Sequence, residues 1–102
     1  MGYYTTYTLS ATQGHYNQEE IEEKLQQISG YSIGFGRNDP CKWHIHEQDM
    51  KELSKIYPET TFLLEGEGED SGDIWRKYFK NGKMQVCKAE TVFPAFDESK
   101  LV

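Results

Sequence analysis

The sequence predicts one small α+β domain with a mainly antiparallel sheet. Strand-like segments with alternating apolar residues are interspersed with two amphipathic helical segments, and an Asn-Gly dipeptide joins the last two strands. A chain of 102 residues has the usual length of one domain, and seven Tyr and two Trp add buriable area to 20 Leu, Ile, Val and Phe residues. We assign residues 1–93 to the domain and residues 94–102 to a polar, loosely ordered tail.

The first strand and the first helix are predicted within residues 3–30. Tyr3 to Leu9 is rich in aromatic and β-branched residues that alternate in the way of a strand. Asn17 is a good N-cap residue with Glu20 at the capping-box position, and Gly30 is a typical helix end. Between the two ends, apolar residues recur at helical spacing: Ile21, Leu25 and Ile28.

The middle of the chain predicts two further strands and a second helix. Tyr31 to Phe35 alternates with small residues as a second strand, which residues 41–45 are predicted to resume as an edge strand. A helix from Glu47 to Tyr57 is predicted from its apolar spacing, and Pro58 ends it. The third strand is predicted from Thr61 to Glu65.

The last two strands are predicted to form a β-hairpin. Asp73–Lys80 and Lys83–Phe93 flank the dipeptide Asn81-Gly82, which suits a type I′ turn. A two-residue loop pairs Lys80 with Lys83, and the rest of the register follows from that pair. Phe79 then faces Met84, Lys77 faces Val86, Arg76 faces Cys87 and Trp75 faces Lys88.

The element order is β-α-β-α-β-β-β. Each helix has one apolar stripe to bury, so two helices on one face of a four- to five-stranded sheet is the economical arrangement. This arrangement is close to a split βαβ, or ferredoxin-like, sandwich.

Composition also predicts where the chain functions. A net charge of −6 disfavours indiscriminate binding to DNA or anionic membranes. No segment has the ~18 consecutive apolar residues of a membrane span, and residues 1–30 lack the apolar run of a signal peptide. We therefore predict a cytoplasmic protein with no membrane partner and with Cys41 and Cys87 as reduced thiols.

Four residues have side chains that zinc prefers: Cys41, His44, His46 and Cys87. The pattern Cys-x-x-His-x-His lacks the paired spacing of zinc sites, and the sequence does not say whether Cys41 and Cys87 meet in the fold. We predict no bound metal and no cofactor.

Five carboxylates fall within nine residues: Glu65, Glu67, Glu69, Asp70 and Asp73. Residues 66–72 are predicted as a loop or a frayed strand end. Their spacing is not that of an EF-hand, and a solvated loop gives no reason for the unlike pKa values of an acid/base pair. Two interpretations remain: a solvated loop that protects an edge strand, and an acidic surface that occupies the basic groove of a partner, with Trp75 and Tyr78 beside it.

Residues 74–88 have the opposite charge. Five basic residues lie among aromatic ones, with no acid: Arg76, Lys77, Lys80, Lys83 and Lys88. Basic side chains beside aromatic rings can bind single-stranded nucleic acid. Alternatively, the aromatic residues pack the core and the lysines lie on the wet face of the hairpin.

Motifs of common enzyme classes are missing from the sequence. Gly34-Phe35-Gly36 is not a dinucleotide fingerprint, there is no P-loop pattern, and no Ser or Thr has the context of a nucleophile elbow. We predict that the protein is not an enzyme.

A resemblance to a known family is carried by the following segments: Cys41-Lys42-Trp43-His44, Asp49-Met50 to Leu53-Ser54-Lys55, Tyr57-Pro58, Leu64 to Glu69, and Asp73 to Lys83. They resemble a family of small, mostly uncharacterised phage and prophage proteins of ferredoxin-like type. The resemblance implies a mobile-element origin, and phage accessory genes of this size often encode inhibitors of host machinery or of bacterial defence, including anti-CRISPR proteins. It carries over no catalytic residue.

Together these observations predict a non-enzymatic, phage-derived binding protein in the cytoplasm of a bacterial host. We expect it to cover a host or defence protein with its acidic and aromatic surface, as a monomer or a homodimer. The alternative prediction is a single-stranded nucleic-acid-binding protein that uses the basic hairpin.

Overall fold

The computed structural model describes residues 3–14, 16–89, 93 and 95–102 and has an α+β fold. The strands are β1 (Thr5–Gln13), β2 (Gly36–Arg37), β3 (Thr61–Gly68), β4 (Ile74–Lys80) and β5 (Lys83–Lys88). The helices are α1 (Gln18–Ser29) and α2 (His46–Ile56), and a 3-10 turn spans Glu98–Lys100. All five strands pair antiparallel in the order β2-β1-β3-β4-β5. The α+β class and the antiparallel sheet are confirmed, whereas the split βαβ order is not.

Both helices pack on the same face of the sheet, which we call the covered face. The strands direct alternate side chains to this face, where Leu9, Phe62, Leu64 and Phe79 are fully or almost fully buried. Apolar residues of both helices belong to the same core cluster: Ile21, Leu25, Met50 and Leu53. Burial of each such side chain contributes roughly 1.5–3 kcal/mol.

The helix ends follow the local sequence. Asn17 accepts the backbone N–H of Glu20 at 3.1 Å, and Gly30 adopts the left-handed conformation (φ 80°) after α1. The second helix starts at His46 and ends at Ile56, each one residue from the predicted boundary. No helix among the described residues has the length and apolar composition required to cross a membrane.

The β4–β5 hairpin is confirmed with its predicted register. Asn81 (φ 48°) and Gly82 (φ 78°) both have the positive φ that a type I′ turn requires. Lys80 pairs with Lys83, Lys77 with Val86 and Trp75 with Lys88. β5 ends at Lys88, earlier than the predicted Phe93. Ala89 and Phe93 are not in a strand, and residues 90–92 lie outside the described residues.

The second strand is where the sequence prediction is wrong. The segment Tyr31–Phe35 makes one isolated bridge to β1, and the pairing strand is Gly36–Arg37. Side chains satisfy the backbone of this segment: Asn38 bonds both the N–H and the carbonyl of Gly34, and Glu22 accepts the N–H of Phe35 at 2.8 Å. Because these three backbone groups already have partners, they do not need a neighbouring strand. Residues 41–45 likewise contribute one bridge, from Cys41 to Thr5.

The acidic loop is shorter than predicted because β3 continues to Gly68. Gly66 pairs with Tyr7 of β1 and with Trp75 of β4, and the absence of a side chain lets the Trp75 ring lie over it. Glu67, which is predicted in the loop, is therefore a strand residue, as Glu65 is. The start of β1 is also displaced: the strand begins at Thr5 instead of Tyr3 and runs to Gln13.

Candidate functional site

The face of the sheet opposite the helices, here called the open face, has an apolar centre beside charged residues. Leu63 pairs with Tyr78 at this centre, and both side chains are partly exposed. The next pair toward the β3–β4 turn is Glu65 and Arg76, whose carboxylate and guanidinium are 2.9 Å apart. Ion pairs this exposed contribute little to stability, but they fix where the charges lie.

The β3–β4 turn carries three residues of the predicted acidic cluster, Glu69, Asp70 and Asp73, and Tyr3 forms hydrogen bonds to this turn. The Tyr3 hydroxyl donates to Asp73 Oδ2 at 2.6 Å and accepts the backbone N–H of Asp70 at 3.0 Å. The bond to Asp73 raises the pKa of Tyr3 above its ordinary value, so the hydroxyl stays protonated and continues to donate. The Tyr3 hydroxyl thus links Asp70 and Asp73, which lie near the two ends of the turn.

A second tyrosine lies beside this turn. The backbone N–H of Tyr4 donates to Glu69, and the ammonium of Lys42 lies 5.0 Å from the centre of the Tyr4 ring. Tyr4 is 45% exposed and Ile74 is 50% exposed. We call this part of the surface the acidic end and define it by these residues: Tyr3, Tyr4, Glu67, Glu69, Asp70, Asp73 and Ile74.

Sequence reasoning found the carboxylates of the acidic end but missed its apolar residues. The sequence predicts a strand that starts at Tyr3, with Tyr3 and Tyr7 on one face, but the strand begins two residues later. The tyrosine pair at positions 3 and 4, next to a polar strand start, is the signal that could have indicated an exposed aromatic contact.

Replacing Gly68 with alanine is expected to break the hydrogen bonds of the Tyr3 hydroxyl to the turn while leaving the fold intact. A Cβ at this position would come closer than 3.0 Å to Asp73 Oδ2 and to the Tyr3 hydroxyl, both of which are ends of side chains that can swing away. Hydrogen exchange at the Asp70 amide should accelerate, as it should in Tyr3→Phe, which removes the acceptor hydroxyl. Unchanged exchange in both variants would contradict the role assigned to Tyr3.

The two aromatic residues predicted as contact residues lie on opposite faces of the sheet. Tyr78 is on the open face, whereas Trp75 is on the covered face and stacks on His46, with ring centres 5.0 Å apart and planes inclined by 11°. The basic residues divide in the same way. Arg76, Lys80 and Lys83 belong to the open face, and Lys77 and Lys88 to the covered face.

Lys77 is held in a polar cluster between β4 and the start of α2. Its side chain is 11% exposed, and its ammonium donates to Glu47 at 2.8 Å and to His46 Nε2 at 2.7 Å. It also lies 4.1 Å from the centre of the Trp75 ring. Because the Lys77 ammonium already bonds Glu47 and His46, it is a poor ligand for nucleic-acid phosphate.

The contact with Lys77 defines the protonation of His46. An ammonium can only donate, so Nε2 must be the unprotonated nitrogen, and Nδ1 carries the proton that it donates to the Trp43 carbonyl at 3.0 Å. The same carbonyl accepts the Tyr7 hydroxyl at 2.9 Å. The Trp43 indole in turn donates to Asp49 at 2.7 Å, so the cluster continues into the buried part of α2.

Burial determines most of the pKa changes in this cluster. It lowers the pKa of His46, with the positive charge of Lys77 acting in the same direction, and raises the pKa of Tyr7 to about 12. The hydrogen bond from Lys77 lowers the pKa of Glu47. At neutral pH these directions favour a neutral imidazole beside a charged ammonium–carboxylate pair.

The four residues weighed as zinc ligands do not come together. Cys41 bridges to β1 on the β2 side of the sheet, and Cys87 lies on β5 at the other edge, roughly 15–20 Å away at about 4.8 Å per strand. His44 is exposed, and His46 is engaged by Lys77. Within the described residues, no three Cys, His, Asp or Glu side chains form a group that could hold a metal ion.

No family model, curated protein or solved structure matches this chain. The resemblance to phage and prophage proteins therefore stays a prediction from sequence. What the acidic end can do follows from its own groups, which are hydrogen-bond acceptors, negative charges and exposed aromatic rings. These are the components of a contact surface.

Proposed function

We propose that the protein is a non-enzymatic module that binds another protein through the acidic end. The main support is that the Tyr3 hydroxyl bonds to both Asp70 and Asp73, so exposed carboxylates and tyrosine rings are held in one arrangement before a partner arrives. A preorganised surface loses less conformational entropy on binding than a flexible loop does. The acidic end is therefore suited to recognition by contact.

The carboxylates and the apolar side chains of the acidic end have different roles in the proposed contact. The carboxylates attract a partner with a basic surface and fix its orientation, an effect that salt screens. Tyr3, Tyr4 and Ile74 are each at least 36% exposed and supply the apolar area that a bound partner covers. Aromatic residues of this kind dominate the affinity of protein interfaces.

The target class and the finer fold class of the proposal come from the sequence resemblance. We propose a host protein or an anti-phage defence protein as the target, which would make the chain an anti-CRISPR-like inhibitor or modulator in a bacterial cytoplasm. Two helices on one face of an antiparallel sheet are compatible with a ferredoxin-like fold, and the proposal includes that classification.

Photo-crosslinking from the acidic end tests the proposal. Tyr4 is replaced by benzoylphenylalanine in a bacterial host, and Gln27, an exposed residue of α1 on the far side of the helix layer, is replaced in the control. We expect a protein that crosslinks at position 4 and not at position 27, and that binds the purified chain. Equal capture at both positions, or no capture at position 4, would contradict the assignment of the contact to this end.

Removing the negative charge is expected to weaken that binding mainly through the association rate. The variant combines Glu67→Gln, Glu69→Gln and Asp70→Asn in the acidic end with Glu65→Gln beside it, and keeps Asp73 because it bonds Tyr3. Association with the crosslinked partner should slow by about tenfold or more at low salt, and the difference should shrink at high salt.

A matched variant separates the acidic end from the charge of the whole molecule. It neutralises four carboxylates elsewhere on the surface: Glu19→Gln, Glu23→Gln, Glu52→Gln and Glu59→Gln. This variant should associate at nearly the normal rate. An equal loss in both variants would mean that net charge alone governs the encounter, and no loss in the first would remove the acidic end from the mechanism.

A further inference from the structure

A groove of about 570 Å³ lies at the other end of the sheet, beside the β4–β5 turn. Its lining includes Tyr78, Lys80, Asn81, Lys83 and Gln85, and none of the described residues that line it is acidic. This is the basic groove. It lies on the same strand as the acidic end but about 20 Å away, the length of six residues of β4.

The two lysines of the basic groove are placed unfavourably for an isolated chain. Lys80 and Lys83 are directly opposite each other in the hairpin register, and like charges in that position repel. Neither forms an ion pair within the described part of the chain. A third lysine lies beside the same turn, because the methylene stem of Lys55 packs against Gly82. A bound anion would relieve this repulsion.

The Tyr78 ring and the side-chain amides of Asn81 and Gln85 also line this groove. Tyr78 and Lys80 are two residues apart on one face of β4, a separation of roughly 7 Å that a single nucleotide can span. The Tyr78 ring is partly exposed, and Gln85 is its partner across the strands. An aromatic ring beside cations and amides matches the needs of a base attached to a phosphate.

We propose that the basic groove binds single-stranded nucleic acid, with phosphates at Lys80 and Lys83 and a base stacked on Tyr78. The site is separate from the acidic end, so it does not depend on the function proposed above. At physiological ionic strength the Debye length is about 8 Å, so carboxylates about 20 Å away are largely screened from the groove. The net charge of −6 is therefore compatible with local binding of a polyanion.

Of the five basic residues in the hairpin, two carry the proposed site. Lys77 is engaged by Glu47 and His46, Arg76 is engaged by Glu65, and Lys88 lies on the covered face. Lys80 and Lys83 lie on the open face and have no such partner among the residues that the structure describes. This division provides a control from the same hairpin.

Fluorescence anisotropy with a labelled oligothymidylate of roughly ten nucleotides tests the proposal. The double variant Lys80→Ala with Lys83→Ala should bind at least about tenfold more weakly, and its dependence of log K on log salt should be shallower by about 1.4, or 0.7 for each lost phosphate contact. The control, Lys24→Ala with Lys88→Ala, removes the same charge from other surfaces and should bind within about twofold of the original. Absence of binding by the unsubstituted protein, or equal losses in the two double variants, would overturn the proposal.

The stacking part has its own test. Tyr78→Phe keeps the ring and should keep the affinity, whereas Tyr78→Leu should lose about tenfold, in the range of one base–aromatic stack. Circular dichroism establishes that each variant is folded. If inorganic polyphosphate competes as well as oligothymidylate at equal phosphate concentration, or if both Tyr78 variants bind alike, the groove recognises phosphate alone and the nucleic-acid assignment is wrong.

Discussion

Alanine in place of Gly66 is expected to reduce the free energy of unfolding by about 1–3 kcal/mol, the range for an overpacked core. A Cβ at Gly66 would come closer than 3.0 Å to three ring atoms of Trp75. Movement of the ring away from Gly66 is restricted, because it stacks on His46 at 5.0 Å and meets the Tyr7 ring edge-on at 6.0 Å. For a domain of this size, a loss of 2 kcal/mol corresponds to a Tm lower by roughly 8–16 °C.

A double-mutant cycle assigns this loss to the ring. Trp75→Leu is itself destabilising, but in that background the added Gly66→Ala should cost less than about 0.5 kcal/mol, because the clash is gone. The coupling energy from urea unfolding of the four proteins is the measurement. Additive effects of the two substitutions would show that the strain at Gly66 has another source.

The hairpin illustrates what the sequence alone can predict and where it is ambiguous. Its turn and register follow from two residues, Asn81 and Gly82, because a type I′ turn is determined locally. Alternation cannot say which face of β4 is buried. Trp75, Lys77 and Phe79 form one face and Arg76, Tyr78 and Lys80 the other, so each face has both aromatic and basic residues.

Contacts distant in sequence resolve that ambiguity. Phe79 pairs with the buried Phe62 of β3, which turns Lys77 inward as well. A lysine is tolerated there because Glu47 and His46, thirty residues earlier, supply a carboxylate and an acceptor nitrogen. No local pattern encodes that pairing.

The acidic end, like the hairpin, was predictable from sequence only in part. Its carboxylates are visible as a cluster in the sequence, but their organisation depends on Tyr3, some seventy residues away. The wrong strand prediction between α1 and α2 has a related cause. Tyr31–Phe35 has strand-like alternation, but the side chains of Asn38 and Glu22 bond the backbone of Gly34 and Phe35.

The stability of the fold is expected to rise with pH through the range in which His46 loses its proton. Burial and Lys77 lower the pKa of His46 from its ordinary 6.5, so the unfolded chain binds this proton more readily than the folded chain. The contribution is fully present above pH 6.5 and is lost as pH falls to the lower pKa of the folded state. One proton gives a slope of at most about 1.4 kcal/mol per pH unit.

The geometry explains why the charged imidazole is disfavoured. Protonation places a hydrogen on Nε2, which faces the ammonium of Lys77 at 2.7 Å, and the contact becomes repulsive. The other groups around His46 are the carboxylates of Glu47 and Asp49 on α2, which favour its charge, and the Tyr7 hydroxyl on β1, which is neutral in this range. Lys88 of β5 pairs with Trp75 and adds a further positive charge to the covered face.

Two histidine substitutions isolate this effect. His46→Gln keeps an acceptor for Lys77 but does not titrate, so urea unfolding measured between pH 5 and 7 should lose most of its pH dependence. His44→Gln, at an exposed position two residues earlier, should keep it. The lowered pKa of Glu47 acts in the same direction at lower pH: its contribution is present above the ordinary value of 4.5 and is lost below it, and should persist in both variants. An unchanged profile in His46→Gln would show that the contact with Lys77 does not control the pH response of the fold.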